Sequence, residues 1–213
     1  MSTQYRLIIR PELRRHLFVL QQAARSQPGG LRDREFKTVI DGLKALADGR
    51  EEEFDGRRLG YSPRHHDLRD CAEIKLQAIP ESRGDRELGP SHRLIYREFE
   101  AEDGGPPYRE AVSFEPRRDD RPFIVAAARL NRKLGVRVEE FGSIPDRRPT
   151  SGPRAQQGPA APARQPLPPD LRRALAAASD IAPATGATSG RATRASHHPS
   201  THQHRDHPPE RDR

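Results

Sequence analysis

Two short stretches decide the fold of this chain: Cys71-Ala72-Glu73-Ile74-Lys75-Leu76 and His92-Arg93-Leu94-Ile95-Tyr96-Arg97-Glu98-Phe99. Both combine β-branched, aromatic and charged residues, and Gly89-Pro90-Ser91 precedes the second, which is the pattern of strands bounded by turns. Successive side chains of a strand point to opposite faces of the sheet. The second stretch therefore places Arg93 and Arg97 on one face and Leu94 on the other.

Further elements follow on both sides of these strands. Apolar residues at three- and four-residue spacing predict amphipathic helices over 11–26 and 31–48, and Pro28-Gly29-Gly30 between them predicts a hairpin of two antiparallel helices. The other predicted elements are a first strand at 5–9, a strand at 110–114 and a last helix at 122–134. This order predicts an α+β fold, a small antiparallel sheet with an N-terminal helical hairpin and a C-terminal helix.

Composition separates a folded part from a tail. The chain has 213 residues, of which only 32% are hydrophobic, against roughly 45–50% in ordinary globular domains. All aromatic residues lie between Tyr5 and Phe141, and 12 of the 21 prolines lie in residues 145–213. A segment of that composition buries too little apolar surface to offset its ordering entropy. We predict a folded domain over 1–144 and a disordered Pro/Arg/Ala/His-rich tail over 145–213.

Charge and cysteine content exclude several classes of protein. Residues 1–144 hold 27 Lys and Arg against 25 Asp and Glu, so most of the net charge of +7 belongs to the tail. The domain is therefore not a uniformly basic nucleic-acid binder, and any such role needs a local patch. The single cysteine, Cys71, excludes a disulfide framework and is expected to be a small buried side chain. With no long apolar run, we expect a soluble cytoplasmic protein.

The strands and their order resemble the RelE/ParE superfamily of toxins from type II toxin–antitoxin systems. The resemblance covers about residues 3–134 and is strongest where Asp67–Leu76 is followed by His92–Arg97. The family has a lysine-containing "KIKL"-like strand and then a "YRLVY"-like strand at this place. A further similarity is Val112-Ser113-Phe114-Glu115-Pro116-Arg117, which is followed by Phe123 and the last helix.

The resemblance implies one of two activities. RelE-like members cleave mRNA on the ribosome without a metal or other cofactor, and a small antitoxin neutralises them. ParE-like members inhibit DNA gyrase and are not nucleases. A third alternative is a non-catalytic protein-interaction domain of the same fold. We favour the ribosome-associated endoribonuclease, in which cationic side chains stabilise the extra charge on the phosphorane and arginine holds phosphate bidentately.

The matched positions imply a set of site residues. Lys75, Arg93 and Arg117 match family cations, and with Glu73 they are the candidate catalytic residues. The candidate substrate-binding residues are Arg118, Arg97 and His66.

Several of these positions leave alternatives open. Glu73 stands where the family has a second lysine, and it is either a general base or the ion-pair partner of Lys75. Phe123 stands where the family often has an active-site tyrosine. His65 and His66 either fold over the sheet as acid/base groups or belong to a solvated loop. His92 is expected to face away from Arg93.

Overall fold

A five-stranded sheet organises the structure, a computed structural model that describes residues 4–83, 86–144 and 162–179. The order of its strands is β1 (Arg6–Ile9), β7 (Tyr108–Pro116), β6 (His92–Phe99), β3 (Cys71–Leu76) and β2 (Arg57–Arg58). The strands β7, β6, β3 and β2 pair antiparallel.

The sheet is mixed, and the predicted purely antiparallel sheet is wrong at its first strand. β1 pairs parallel with β7, with Arg6 opposite Tyr108 and Ile9 opposite Ala111. The alternation of apolar and polar residues in a short strand predicts which face of the strand is buried, but it does not predict which strand pairs with it. Here the first strand joins the last strand of the sheet, about 100 residues further along the chain.

Two helices cover one face of the sheet. They are α1 (Pro11–Ser26), which starts on a proline at its first position, and α2 (Leu31–Ala47). Gly29 between them has a φ of 75°, a conformation that glycine adopts without strain. The buried side chains of both helices share one core with the sheet: Leu13, Leu17, Leu20, Val39, Leu43, Leu46, Ile74, Leu76, Leu94, Tyr96 and Phe114.

A third helix, α3 (Arg121–Arg129), covers part of the opposite face. Its Ala126 and Ala127 pack with Ile95 and Val112 of the sheet. The sequence predicts a helix as far as Leu134, and this boundary is wrong. The helix ends earlier because Asn131 takes a left-handed backbone conformation, with a φ of 55°.

Two smaller features complete the described chain. A short ribbon of β4 (Ser82–Arg83) and β5 (Arg86–Glu87) lies in the polar connection between β3 and β6. Far along the chain, Gln165 exchanges backbone hydrogen bonds with Glu98 and Glu100 at the end of β6, and α4 (Pro169–Ser179) follows.

The chain divides into two units, Met1–Arg173 and Ala174–Arg213. All sites described below lie in the first unit. Most of the predicted tail, residues 145–161 and 180–213, lies outside the described residues, so its disorder stays a prediction. Among the helices of the described ranges, none combines the length and the apolar composition that a membrane span needs.

Candidate functional site

Strand register gathers charged side chains on the sheet face that also carries α3. Lys75 of β3 lies directly opposite Arg93 of β6, and Arg57 of β2 lies directly opposite Glu73 of β3. Directly opposed residues project to the same face, and so do residues two apart on one strand. Arg117 follows the end of β7, two residues beyond the partner of Arg93. We call Arg57, Lys75, Arg93 and Arg117, with Glu73 among them, the basic cluster.

Glu73 is the buried centre of the basic cluster. Its side chain is 0% exposed, Arg57 Nε donates a hydrogen bond to Oε1, and Arg93 Nε lies 3.5 Å from Oε2. The Oε2 atom is buried and makes no hydrogen bond among the residues that the structure describes. The predicted ion pair between Glu73 and Lys75 is wrong, because Lys75 Nζ lies 3.7 Å from Asp55 Oδ2 instead.

Arg93 is held rigidly beside this carboxylate. Its Nη1 donates to the carbonyl oxygens of Pro90 and His92, both at 2.8 Å. Burial lowers the pKa of the Arg93 guanidinium; Glu73 opposes this shift, and the nearby Arg57 and Arg117 add to it. Three carboxylates, those of Glu73, Asp55 and Glu81, pair with the four cations of the basic cluster. The cluster therefore keeps a small excess of positive charge, which favours an anionic ligand.

Glu81 orients the two arginines that follow β7. Arg117 Nη2 lies 3.3 Å from Glu81 Oε2, and Arg118 Nη2 lies 3.3 Å from Glu81 Oε1. Arg117 is partly buried and also donates to the carbonyl of Leu88, whereas the Arg118 side chain is exposed. Arg118 therefore lies at the rim of the basic cluster.

Arg97 lies outside the basic cluster. It is on the same strand as Arg93 but four residues along it, roughly 13 Å away. Its Nε donates to Glu110 Oε2 at 2.9 Å, its Nη1 lies 3.5 Å from Asp70 Oδ2, and its guanidinium stacks on the Phe99 ring. The structure does not bring Arg97 to the place where the candidate catalytic residues meet.

His66 belongs to an open cleft beside the basic cluster. The cleft has a volume of about 570 Å³ and lies between the loop 57–68 on one side and the start of α3 with Leu134 on the other. His66 Nδ1 lies 3.1 Å from the carbonyl oxygen of Arg132, and the neighbouring His65 is exposed. Arg57 lines the cleft and also contacts Glu73, so the two features adjoin.

Sequence reasoning missed Arg57, Asp55, Glu81 and the cleft. The polar run 50–70 predicts a loop, and the two-residue strand that carries Arg57 has no periodicity of its own. The only local pattern that marks this strand is Arg57-Arg58 followed by Leu59. The partners of Glu73 become visible only when β2 is placed on the edge of the sheet.

Acidic and thiol groups near the site have structural partners. Asp67 pairs with Arg69 at 2.7 Å, and Asp70 pairs with Arg132 at 2.6 Å. Burial raises the pKa of the Cys71 thiol well above its usual value, so this side chain is a poor nucleophile. The described residues hold no group of three or more His, Cys, Asp or Glu side chains arranged for a metal ion.

His92 faces away from Arg93, as the strand alternation predicts, and has a structural environment. Its ring stacks on Phe114, its Nδ1 lies 3.0 Å from Ser91 Oγ, and its Nε2 lies 3.5 Å from Glu35 Oε1. Burial lowers the pKa of His92, although the carboxylates of Glu35, Glu81 and Glu115 raise it.

Acidification is expected to weaken the fold through His92. A histidine with a lower pKa in the folded than in the unfolded chain takes up its proton first in the unfolded state. The stability that the neutral ring contributes is fully present above the ordinary histidine pKa of about 6.5 and is lost as the pH falls below that value. We expect the urea midpoint to fall more steeply from about pH 7.5 to about pH 5.5 in the wild type than in His92→Gln. The control His65→Gln, in an exposed loop, should keep the wild-type slope, and parallel curves for wild type and His92→Gln would contradict the expectation.

Comparison of the chain with protein-family models, curated proteins and solved structures found no match. The resemblance of the strands to RelE/ParE toxins therefore stays a prediction.

Proposed function

We propose that this protein is a RelE-type toxin: a metal-independent endoribonuclease that cleaves mRNA on the ribosome and arrests growth until an antitoxin covers it. The observation that carries the proposal is the basic cluster, four cations on one sheet face of which two, Arg57 and Arg93, contact the buried Glu73. The proposal includes a cytoplasmic location and the antiparallel packing of α1 against α2.

The cations of the cluster suit a phosphodiester in its transition state. When the 2′-oxygen of a ribonucleotide attacks the adjacent phosphorus, the phosphorane gains negative charge on its equatorial oxygens. Arg93 is already oriented by two backbone carbonyls, so it loses little freedom on binding that charge. Arg117, oriented by Glu81, supplies a second planar fork for phosphate oxygens.

Proton transfer in this scheme uses Glu73 and Lys75. The 2′-hydroxyl proton passes to Glu73, the bond from the 2′-oxygen to phosphorus forms, and the bond from phosphorus to the 5′-oxygen breaks. The leaving 5′-oxygen takes a proton from the Lys75 ammonium, giving a 2′,3′-cyclic phosphate and a 5′-hydroxyl. Glu73 is covered by arginines, and Arg57, the more exposed of them, turns toward the phosphate and uncovers the carboxylate.

The test is expression of wild type and Arg93→Ala in growing cells, with mapping of mRNA 5′ ends. Loss of one preorganised cation that contacts the transition state costs about 10²–10³ in rate. We therefore expect growth arrest and new mRNA ends from the wild type and neither from Arg93→Ala. The control Arg15→Ala removes an exposed arginine from α1, on the other face of the sheet, and should arrest growth like the wild type. Thermal denaturation of each purified variant checks that it is folded.

A gyrase inhibitor of the ParE type is the second candidate. It is favoured because Glu73 replaces a family lysine and so removes one cation, and because Arg57 and Arg93 of the cluster are paired with this carboxylate. Growth arrest with intact mRNA and altered DNA supercoiling would support this candidate and contradict the nuclease. Equal arrest by wild type and Arg93→Ala would remove the basic cluster from either mechanism.

A further inference from the structure

We propose that the cleft beside the basic cluster binds the base of a single-stranded RNA nucleotide whose phosphate lies on the cluster. The inference rests on the proposed function and names a substrate subsite for it. Arg57 connects the two, since it lines the cleft and contacts Glu73.

The size and walls of the cleft suit a nucleoside. Its volume of about 570 Å³ lies within the roughly 300–1,000 Å³ of small-molecule sites. Leu59 and Phe123 are half-buried in its wall, and Ile124 and Leu134 expose 50% and 63% of their surface beside them. A nucleobase offers flat apolar faces that cover such side chains, and stacking on an aromatic ring tolerates any base.

The charged groups of the cleft favour an anionic ligand over a neutral one. Arg57, Arg58 and Arg64 line it, and Asp120 is the acidic residue among its lining side chains. His65 and His66 supply ring nitrogens that can bond the polar edge of a base. This combination of cations with apolar and aromatic side chains is the recurring form of sites for single-stranded nucleic acid.

The position of the cleft also favours a nucleotide over an acidic peptide. The basic cluster binds phosphate in the proposed reaction, and Arg57 places the cleft next to that phosphate. The base of the nucleotide at the cleaved bond then lies beside the basic cluster, where the structure has the cleft. An acidic peptide would pair with the cations, but it has no flat ring that would fill a concave site of nucleotide size.

The experiment measures binding of adenosine 5′-monophosphate, a non-cleavable deoxy-substituted oligoribonucleotide and inorganic phosphate to the full chain by calorimetry. The test variant is Ile124→Ser/Leu134→Ser, which changes exposed side chains. Its matched control is Phe18→Ser/Val19→Ser, which removes two equally exposed apolar side chains from α1.

We expect the cleft variant to bind the nucleotide and the oligoribonucleotide about tenfold more weakly and inorganic phosphate unchanged. The control should bind all three like the wild type. Equal nucleotide binding by the cleft variant and the control would overturn the proposal. So would tight binding of an oligoglutamate peptide to the wild type with no binding of the nucleotide.

Cleavage assays separate this inference from the proposed function. If the wild type cuts no RNA but nucleotide binding still depends on Ile124 and Leu134, the proposed reaction fails and the subsite stands. If the wild type cuts RNA and the cleft variant cuts it with unchanged KM, the subsite fails and the reaction stands.

Discussion

Replacing Arg109 by methionine is expected to lower the free energy of unfolding by about 3–5 kcal/mol, the usual cost of leaving a buried charge without its partner. Arg109 is fully buried in β7. Its two terminal nitrogens donate to the carboxylate of Glu51 at 2.7 and 2.8 Å, and its Nε donates to Glu98 at 3.2 Å. Nη1 also donates to the carbonyl of Leu46, and the guanidinium lies 3.5 Å from the centre of the Tyr5 ring.

The size of the effect follows from what methionine leaves behind. Methionine fills most of the space of the arginine stem but cannot neutralise Glu51 or Glu98, both of which are buried. Burial lowers the pKa of Arg109, but the hydrogen bonds and charge of Glu51 outweigh it and the pKa is raised. The folded state therefore favours the charged form of Arg109, and replacing this charge lowers the free energy of unfolding.

Urea denaturation at neutral pH measures this effect, and Arg164→Met is the matched control. Arg164 also pairs with Glu98, at 2.8 Å, but its side chain is 45% exposed. Glu98 keeps Arg109 as its partner when Arg164 is replaced, and a half-exposed arginine contributes about 0–1 kcal/mol, so the control should unfold close to the wild type. Equal losses from Arg109→Met and Arg164→Met would show that burial is not the source of the effect.

The second large effect is expected from Arg69→Met, which removes the guanidinium that binds residues 138–144 to the segment before β3. Arg69 donates to both carboxylate oxygens of Asp67, at 2.9 and 2.7 Å. It also donates to the carbonyl oxygens of Phe141, Ile144 and Val138 at 2.8, 3.1 and 3.2 Å. Methionine removes the counter-ion of the buried Asp67, which keeps only backbone N–H donors from Arg69 and Val138, and it removes one donor from each of the three carbonyls. We expect a loss of about 3–5 kcal/mol.

A local readout distinguishes this loss from general destabilisation. Freed from Arg69, residues 138–144 should be cut by protease under conditions in which the wild type stays intact. Burial raises the pKa of Asp67, but hydrogen bonds from Arg69 and Val138 outweigh it, so Asp67 is ionised in the fold. Adding Asp67→Asn to Arg69→Met removes the orphaned charge and should restore part of the stability.

The control for this prediction is Arg50→Met. Arg50 pairs with Asp48 and Glu53 at the surface, and all three side chains are largely exposed. Its replacement should change neither the unfolding midpoint nor the protease pattern. Unchanged proteolysis of Arg69→Met would contradict the assignment of Arg69 as the anchor of 138–144.

Local patterns determined most of the secondary structure. The strands Cys71–Leu76 and His92–Phe99 have the bounds that their residues predict, because alternating and apolar side chains mark a pleated, half-buried segment. The helices Pro11–Ser26 and Leu31–Ala47 follow from apolar spacing, a leading proline and a glycine turn. These features act over a few residues and need no knowledge of distant partners.

The partners of charged residues were decided by the tertiary structure. Lys75 and Glu73 lie two apart on one face and look like a pair in sequence, yet Lys75 contacts Asp55 and Glu73 contacts Arg57 and Arg93. The strand register determines which opposite charge lies nearest to a buried one. The register of β2 on β3, which places Arg57 opposite Glu73, cannot be predicted from the residues of either strand.

Placement of whole elements was decided in the same way. Local sequence patterns predict which segments are strands and helices, that Glu73 and Lys75 share one face of their strand, and that Arg93 and Arg97 share one face of theirs. The packing of the whole chain determines that Lys75 lies opposite Arg93, that β1 runs parallel to β7 and that Arg57 covers Glu73. It also brings the loop 57–68 and α3 together around a cleft. Periodicity encodes the face that a segment buries, whereas neighbours that are distant in sequence are selected by the packing of the complete chain.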